Sequence, residues 1–138
     1  MPSDASLPLQ GAIGDALADA AAIQALIGNP ARIYDEPPAD GASYPCITIG
    51  EDTVSDMGTK TTDISEHTLT LHAWSRYNGR KEAKQILDAI KATLHHNLLS
   101  VTGHTVVEAH FEFAETLLDP DGETWHGVAR YRFIVEDT

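Results

Sequence analysis

With 138 residues, 42% of them hydrophobic, the chain has the length of one domain and enough apolar side chains for a core. Twenty-one acidic residues against nine basic ones give a formal net charge of −12, which repels phosphate backbones and anionic lipid and argues against a nucleic-acid reader or a membrane-surface protein. A single cysteine, Cys46, excludes an internal disulfide, and the longest apolar run, around residues 20–27, is interrupted by Gln24 and too short to span a bilayer. No basic segment precedes an apolar stretch at the N-terminus, so synthesis in the cytoplasm is expected.

Residues 1–6 read as a frayed start. Leu9, Ile13, Leu17 and Ala20 then fall on one helical face, predicting a first helix over about residues 7–17. Asp19 is placed to cap a second short helix that ends at Ile27, where Gly28, Asn29 and Pro30 stop it. A short extended segment at residues 32–34 and a turn at Asp40-Gly41 lead to a strand at 46–50. Pro45 enters that strand, and with no ladder donor it belongs at a strand's first residue or at a sheet edge. Residues 51–63 are polar, with Val54 and Met57 the main apolar anchors, and read as an extended excursion between strands.

The pattern is strongest over residues 66–94. His67, Leu69, Leu71 and Ala73 alternate with Glu66, Thr68, Thr70, His72 and Trp74, as a half-buried strand requires. After a turn at Asn78-Gly79, Ala83, Ile86, Leu87, Ile90 and Leu94 form the single stripe of a long helix over about residues 80–96. A strand at 105–115 is predicted to turn Val107, Ala109, Phe111 and Phe113 inward and Glu108, His110 and Glu112 outward. The turn at Asp119-Pro120-Asp121-Gly122 leads to a last strand at 125–135. There Ala129, Tyr131, Phe133 and Val135 face in, while Arg130 and Arg132 share the outer face with the acidic residues of the preceding strand. The sum is one α+β domain over residues 1–138: a mixed, mostly antiparallel sheet of four to five strands, covered by an N-terminal helix and one long helix.

Catalytic motifs are absent: there is no GxSxG, no P-loop and no dinucleotide fingerprint. His95 and His96, adjacent on a helix, point about 100° apart and do not share an ion, and His67 and His72 lie on opposite strand faces. Asp119, Asp121 and Glu123 lack the further oxygen ligands of a calcium loop and read as a turn. Cys46 reads as a small buried strand residue. No catalytic, cofactor-binding or metal-ligating residue is assigned, and no enzyme is expected. One feature runs against local physics. Arg76, Arg80, Lys81 and Lys84 crowd the N-terminal end of the long helix, where the macrodipole favours negative charge. Either Glu82 and the acidic remainder compensate, or the patch meets carboxylates on another copy in a head-to-tail contact that closes a ring.

The order of elements resembles the tail terminator, or tail-completion, family of long-tailed phages and phage-like gene transfer agents. The resemblance rests on Tyr44-Pro45, Leu71-His72-Ala73-Trp74-Ser75, the helix start from Gly79 to Ala83, the Asp119-Pro120-Asp121-Gly122 turn, His126-Gly127-Val128 and Arg130-Tyr131-Arg132. It implies a virion structural protein that forms a homo-hexameric ring on the tail tube, stops tube growth and meets the head-tail connector or stopper protein. DNA passes through the channel without sequence-specific binding, so acidic charge there avoids holding phosphate. No cofactor and no membrane contact are implied, and the final location is the particle tail at the head-tail junction. Docking is expected through the polar excursion, with Val54, Met57 and Lys60, and through Arg76, Arg80, Lys81 and Lys84. The alternative is a small soluble metal- or ligand-binding domain, or an enzyme, using the His-rich outer sheet face.

Overall fold

The structure, a computed structural model, describes residues 4–35, 44–77 and 79–137. The expected Asp40-Gly41 turn and residue Asn78 lie outside the described residues. The elements are helices α1 (Ser6–Asp19), α2 (Ala21–Ile27) and α3 (Lys81–Leu94), and strands β1 (Ile33–Tyr34), β2 (Cys46–Asp56), β3 (Ile64–Ser75), β4 (Ser100–Val101), β5 (His104–Leu118) and β6 (Trp125–Asp137). The strands form one six-stranded sheet in the order β1-β2-β3-β6-β5-β4. Among the described residues only β1 and β2 run parallel, so the α+β class with a mostly antiparallel sheet holds. Six strands replace the expected four to five because β1 and β4, two residues each, are too short to show a period.

Local chemistry sets the helix ends. α1 begins at Ser6, whose amide donates to Asp4 Oδ1 at 2.9 Å, and Ala5 is already buried, so order starts before residue 6. The cap assigned to Asp19 is wrong. The chain stays helical through Asp19, the break falls at Ala20, and α2 starts without a side-chain cap. Gly28 ends α2 at φ +92, a conformation that disfavours any residue with a Cβ. α3 stops at Leu94, short of 96: His95 is extended and His96 takes φ +61. Residues 51–63 divide between two structures. Residues 51–56 continue β2 in antiparallel pairing with β3, and 57–63 form the connection.

All three helices lie on one face of the sheet. Their buried stripes (Leu9, Ile13 and Leu17; Ile23 and Ile27; Ile86, Ile90 and Leu94) meet Leu69, Leu71 and Ala73 of β3 and Ala129, Tyr131, Phe133 and Val135 of β6. Full burial of each large apolar side chain contributes roughly 1.5–3 kcal/mol. The inner face expected for β5 holds at Ala109 and Phe111 and is corrected at Val107 and Phe113. Register shifts between Val106 and Glu108, and again between Phe111 and Phe113, insert an unpaired residue each time. Each bulge reverses the alternation. Val106, not Val107, is therefore buried, and Phe113 emerges on the outer face beneath the Arg130 guanidinium.

Tyr131 sits at the centre of this core, fully buried, and its hydroxyl has no hydrogen-bond partner among the described residues. Burial pushes its pKa well above the ordinary phenol value. Tyr131→Phe removes a desolvated polar atom and keeps the ring. It is expected to stabilise the fold by about 1 kcal/mol, a Tm rise of roughly 3 °C in thermal unfolding.

Candidate assembly surface

The sheet leaves two strand edges open. β1 covers β2 only at Ile47 and Thr48, so residues 50–56 have no strand on the side away from β3 among the described residues. At the other side β4 covers His104 and Thr105, and the chain after α3 covers the next stretch. There His96 N donates to Ala109 O at 2.8 Å and Phe111 N donates to His95 Nδ1 at 3.1 Å. The open part of β5 is thus residues 112–118. Exposed large apolar side chains mark both edges: Val54, with Met57 just beyond, on β2, and Phe113 and Leu118 on β5. Open edges bearing exposed apolar groups invite pairing with another chain.

The sequence-assigned contact residues separate into two groups. Arg76, Arg80, Lys81 and Lys84 gather at the start of α3, whereas Val54, Met57 and Lys60 belong to the β2–β3 hairpin. Two of the cations are engaged within the domain. The Arg76 guanidinium lies 4.4 Å over the Tyr44 ring and its Nε donates to Thr124 Oγ1 at 3.2 Å, while Arg80 lies 4.7 Å over the Trp125 ring. Lys81 and Lys84 are exposed and in no salt bridge among the described residues. Arg80, Lys84, Leu87, Ala114, Glu115 and Thr116 line an open groove of about 340 Å³ between α3 and the open part of β5. Lys91, over the Phe111 ring at 4.4 Å, extends the cationic side of α3 two turns past Lys84. Sequence reasoning missed Lys91, although the spacing of seven from Lys84 carries the signal. The opposite edge is acidic: Glu51, Asp52 and Asp56 are all exposed.

The histidines disperse. His72 Nδ1 and His126 Nε2 share a hydrogen bond of 2.6 Å on the outer face, and the His126 ring stacks 3.9 Å from Trp74, whose Nε1 donates to Thr48 Oγ1. A Cβ on Gly50 would run into the His72 ring, so the bulge in β2 requires glycine there. His67 faces the helices and bonds Ser65 Oγ at 2.8 Å. The expectation that His95 and His96 diverge on a helix is overturned, because α3 has already ended. Their rings lie 3.7 Å apart, with His110 within 6.1 Å of both. Among the described residues no group of three His, Cys, Asp or Glu is arranged to hold a metal ion. Asp121 turns its carboxylate onto its own loop, accepting from the amides of Glu123 and Thr124 and from Thr124 Oγ1, and these bonds hold its pKa below the usual carboxylate value. Burial pushes the Cys46 thiol up to about 11, which leaves it a poor nucleophile. No helix among the described residues is long and apolar enough to cross a membrane.

Two open edges, β5 beside the cations of α3 but itself bearing Glu112 and Glu115, and β2 bearing Glu51, Asp52 and Asp56, point to a subunit that pairs with other chains. The comparisons with known proteins identify which kind. The chain belongs to the tail completion protein gp17 family, whose model matches residues 11–136, and the family is structural, not enzymatic. The tail completion protein gp17 of Bacillus phage SPP1 is 28% identical over 102 residues, covering 74% of this chain and 75% of that protein. The solved structure of bacteriophage SPP1 gp17 matches with a TM-score of 0.64 at 27% identity, over 94% of this chain and 89% of the other. A chain in the virion of a native gene transfer agent particle has the same fold, with a TM-score of 0.88 at 21% identity over 98% of this chain and 99% of that one.

Proposed function

We propose that this chain caps the tail tube as a homo-hexameric ring, ends tube growth and offers its other face to the head-tail connector or stopper protein. DNA passes through the central channel without sequence-specific binding. The observation that carries this reading is the placement of two complementary surfaces on opposite sides of one sheet. Arg80, Lys84 and Lys91 stand beside the β5 edge, and Glu51, Asp52 and Asp56 with Val54 occupy the β2 edge. A surface that meets a different surface of the next copy generates a ring when the rotation closes. Lys60, in the β2–β3 connection, is then available to the tube protein. The net charge of −12 disfavours retention of a phosphate backbone in the channel.

Particles assembled without this chain are expected to carry tails of irregular length that are not joined to heads, as seen by negative-stain electron microscopy. Supplying the chain restores uniform, joined tails. Normal particles in its absence would overturn the proposal.

A further inference from the structure

We infer that neighbouring copies join by strand addition: residues 50–56 of β2 from one copy pair antiparallel with residues 112–118 of β5 from the next, and the acidic β2 edge seats in the groove beneath α3. The inference rests on the ring proposed above and names its joint. The occupant is a second copy, because the two open runs are equal in length and the acidic β2 run meets three cations of α3, Arg80, Lys84 and Lys91, which outnumber the two carboxylates of the β5 run, Glu112 and Glu115.

The topology fixes the sense of the pairing. β2, β3, β6 and β5 alternate in direction, so a sheet that continues past β5 with its helix face on the same side brings in β2 antiparallel to β5. Side-chain parity then fixes the faces. Asp52, Val54 and Asp56 share the helix side of β2, since their partners are Leu69, His67 and Ser65, while Ala114 and Thr116 share the helix side of β5, opposite Ala129 and Gly127. Centring both runs places Val54 opposite Ala114 and Asp52 opposite Thr116. Val54 thereby covers the apolar floor of Leu87 and Ala114, and Asp52 reaches Arg80 and Lys84 on the groove wall. Asp56 falls opposite Glu112, the residue bulged out of the β5–β6 ladder, and the Lys91 ammonium over the neighbouring Phe111 ring offsets that like-charge pair.

The same register sets the slant of the strands. Thr53 lies level with Thr68 of β3, and Glu115 lies level, through Val128, with His72, four residues further along β3. That offset of about 14 Å accumulates over four strand spacings of about 19 Å in total, a slant of about 35°, within the roughly 35–45° found when sheets close on themselves.

The test is site-specific disulfide formation in an equimolar mixture of full-length Val54→Cys and Ala114→Cys chains, each also carrying Cys46→Ala, oxidised over a concentration series. Directly opposed residues bring their Cα atoms to about 4.5–5.5 Å, inside disulfide range. The mixed disulfide is expected to exceed either homodimer by about tenfold. Lys84→Glu on the Ala114→Cys chain should lower its yield by about tenfold, and Asp52→Lys on the other chain should restore it. A yield no higher than that of a Val54→Cys and Leu98→Cys mixture would overturn strand addition, as would a shift of the crosslink to another β5 position or a chain that stays single at every concentration. Irregular, unjoined tails without the chain, alongside a failed crosslink, leave tail capping standing and remove only this joint.

Discussion

Gly127→Val is expected to destabilise the fold by about 3 kcal/mol, lowering Tm by roughly 10 °C in thermal unfolding. Gly127 is a buried residue on the helix face of β6, and α3 packs directly on it. A Cβ there would lie 2.9 Å from Leu87 Cδ1, 3.0 Å from its Cγ and 3.2 Å from its Cδ2. Three contacts with a branched side chain cannot be relieved by one rotamer change, and valine adds two methyl groups beyond the Cβ. α3 must lift from the sheet, which opens gaps around Ile86 and Ile90. The cause can be isolated with Leu87→Ala, which alone leaves a cavity. Combined with Gly127→Val, it should give a double variant no less stable than the Gly127→Val chain. Additive losses would mean that the clash lies elsewhere. Leu87 also floors the groove that holds Arg80 and Lys84 beside β5. The lift of α3 should therefore weaken assembly as well as folding.

This contact also shows where the sequence was legible. The stripe from Ala83 to Leu94 and the alternation in β3 and β6 predict both partners of the α3–sheet interface, because a buried face repeats at 3.6 or at 2 residues. Nothing in the pattern around Gly127 marks a close approach, since a glycine on an alternating strand looks the same whether it meets a helix or water. The two bulges in β5 are silent for a related reason. An inserted residue reverses the parity of everything after it, and only the partner strand records the reversal, so Phe113 reads as core and emerges beneath Arg130. The contact surface was partly legible. Lys81 and Lys84 stand out because they oppose the helix dipole, whereas the engagement of Arg76 by Tyr44 and of Arg80 by Trp125 depends on side chains 32 and 45 residues away in sequence. The acidic edge was hidden because residues 51–56 have too few apolar positions to announce a strand, and their pairing is set by β3.

Acidification from pH 7.5 to pH 5 is expected to lower Tm by on the order of 5 °C, from histidine protonation in the unfolded chain. Four histidines have folded-state pKa values below the usual imidazole value, each chiefly through desolvation: His67, His72, His95 and His126. Their neighbours divide. Asp4 and Asp52 raise His67 while His104 lowers it, Glu51 raises His72, Asp119 and Glu51 raise His126 while His72 lowers it, and His96, His110 and Lys91 all lower His95. A group whose folded pKa is depressed below its unfolded value binds its proton first in the unfolded chain. Stability is therefore complete above about pH 6.5 and falls as pH drops through that value toward the folded pKa. The His72–His126 pair should dominate the slope. At 2.6 Å one ring donates and the other accepts, so a second proton sets two N–H groups against each other beneath Trp74. The bond ties β3 to β6 in the middle of the sheet. His72→Gln keeps an amide able to bond His126 and removes one titrating group, so its Tm should be less dependent on pH between 7 and 5 than that of the unaltered chain. Parallel pH profiles for the two would place the acid sensitivity at His67 or at the His95 cluster instead of in this pair.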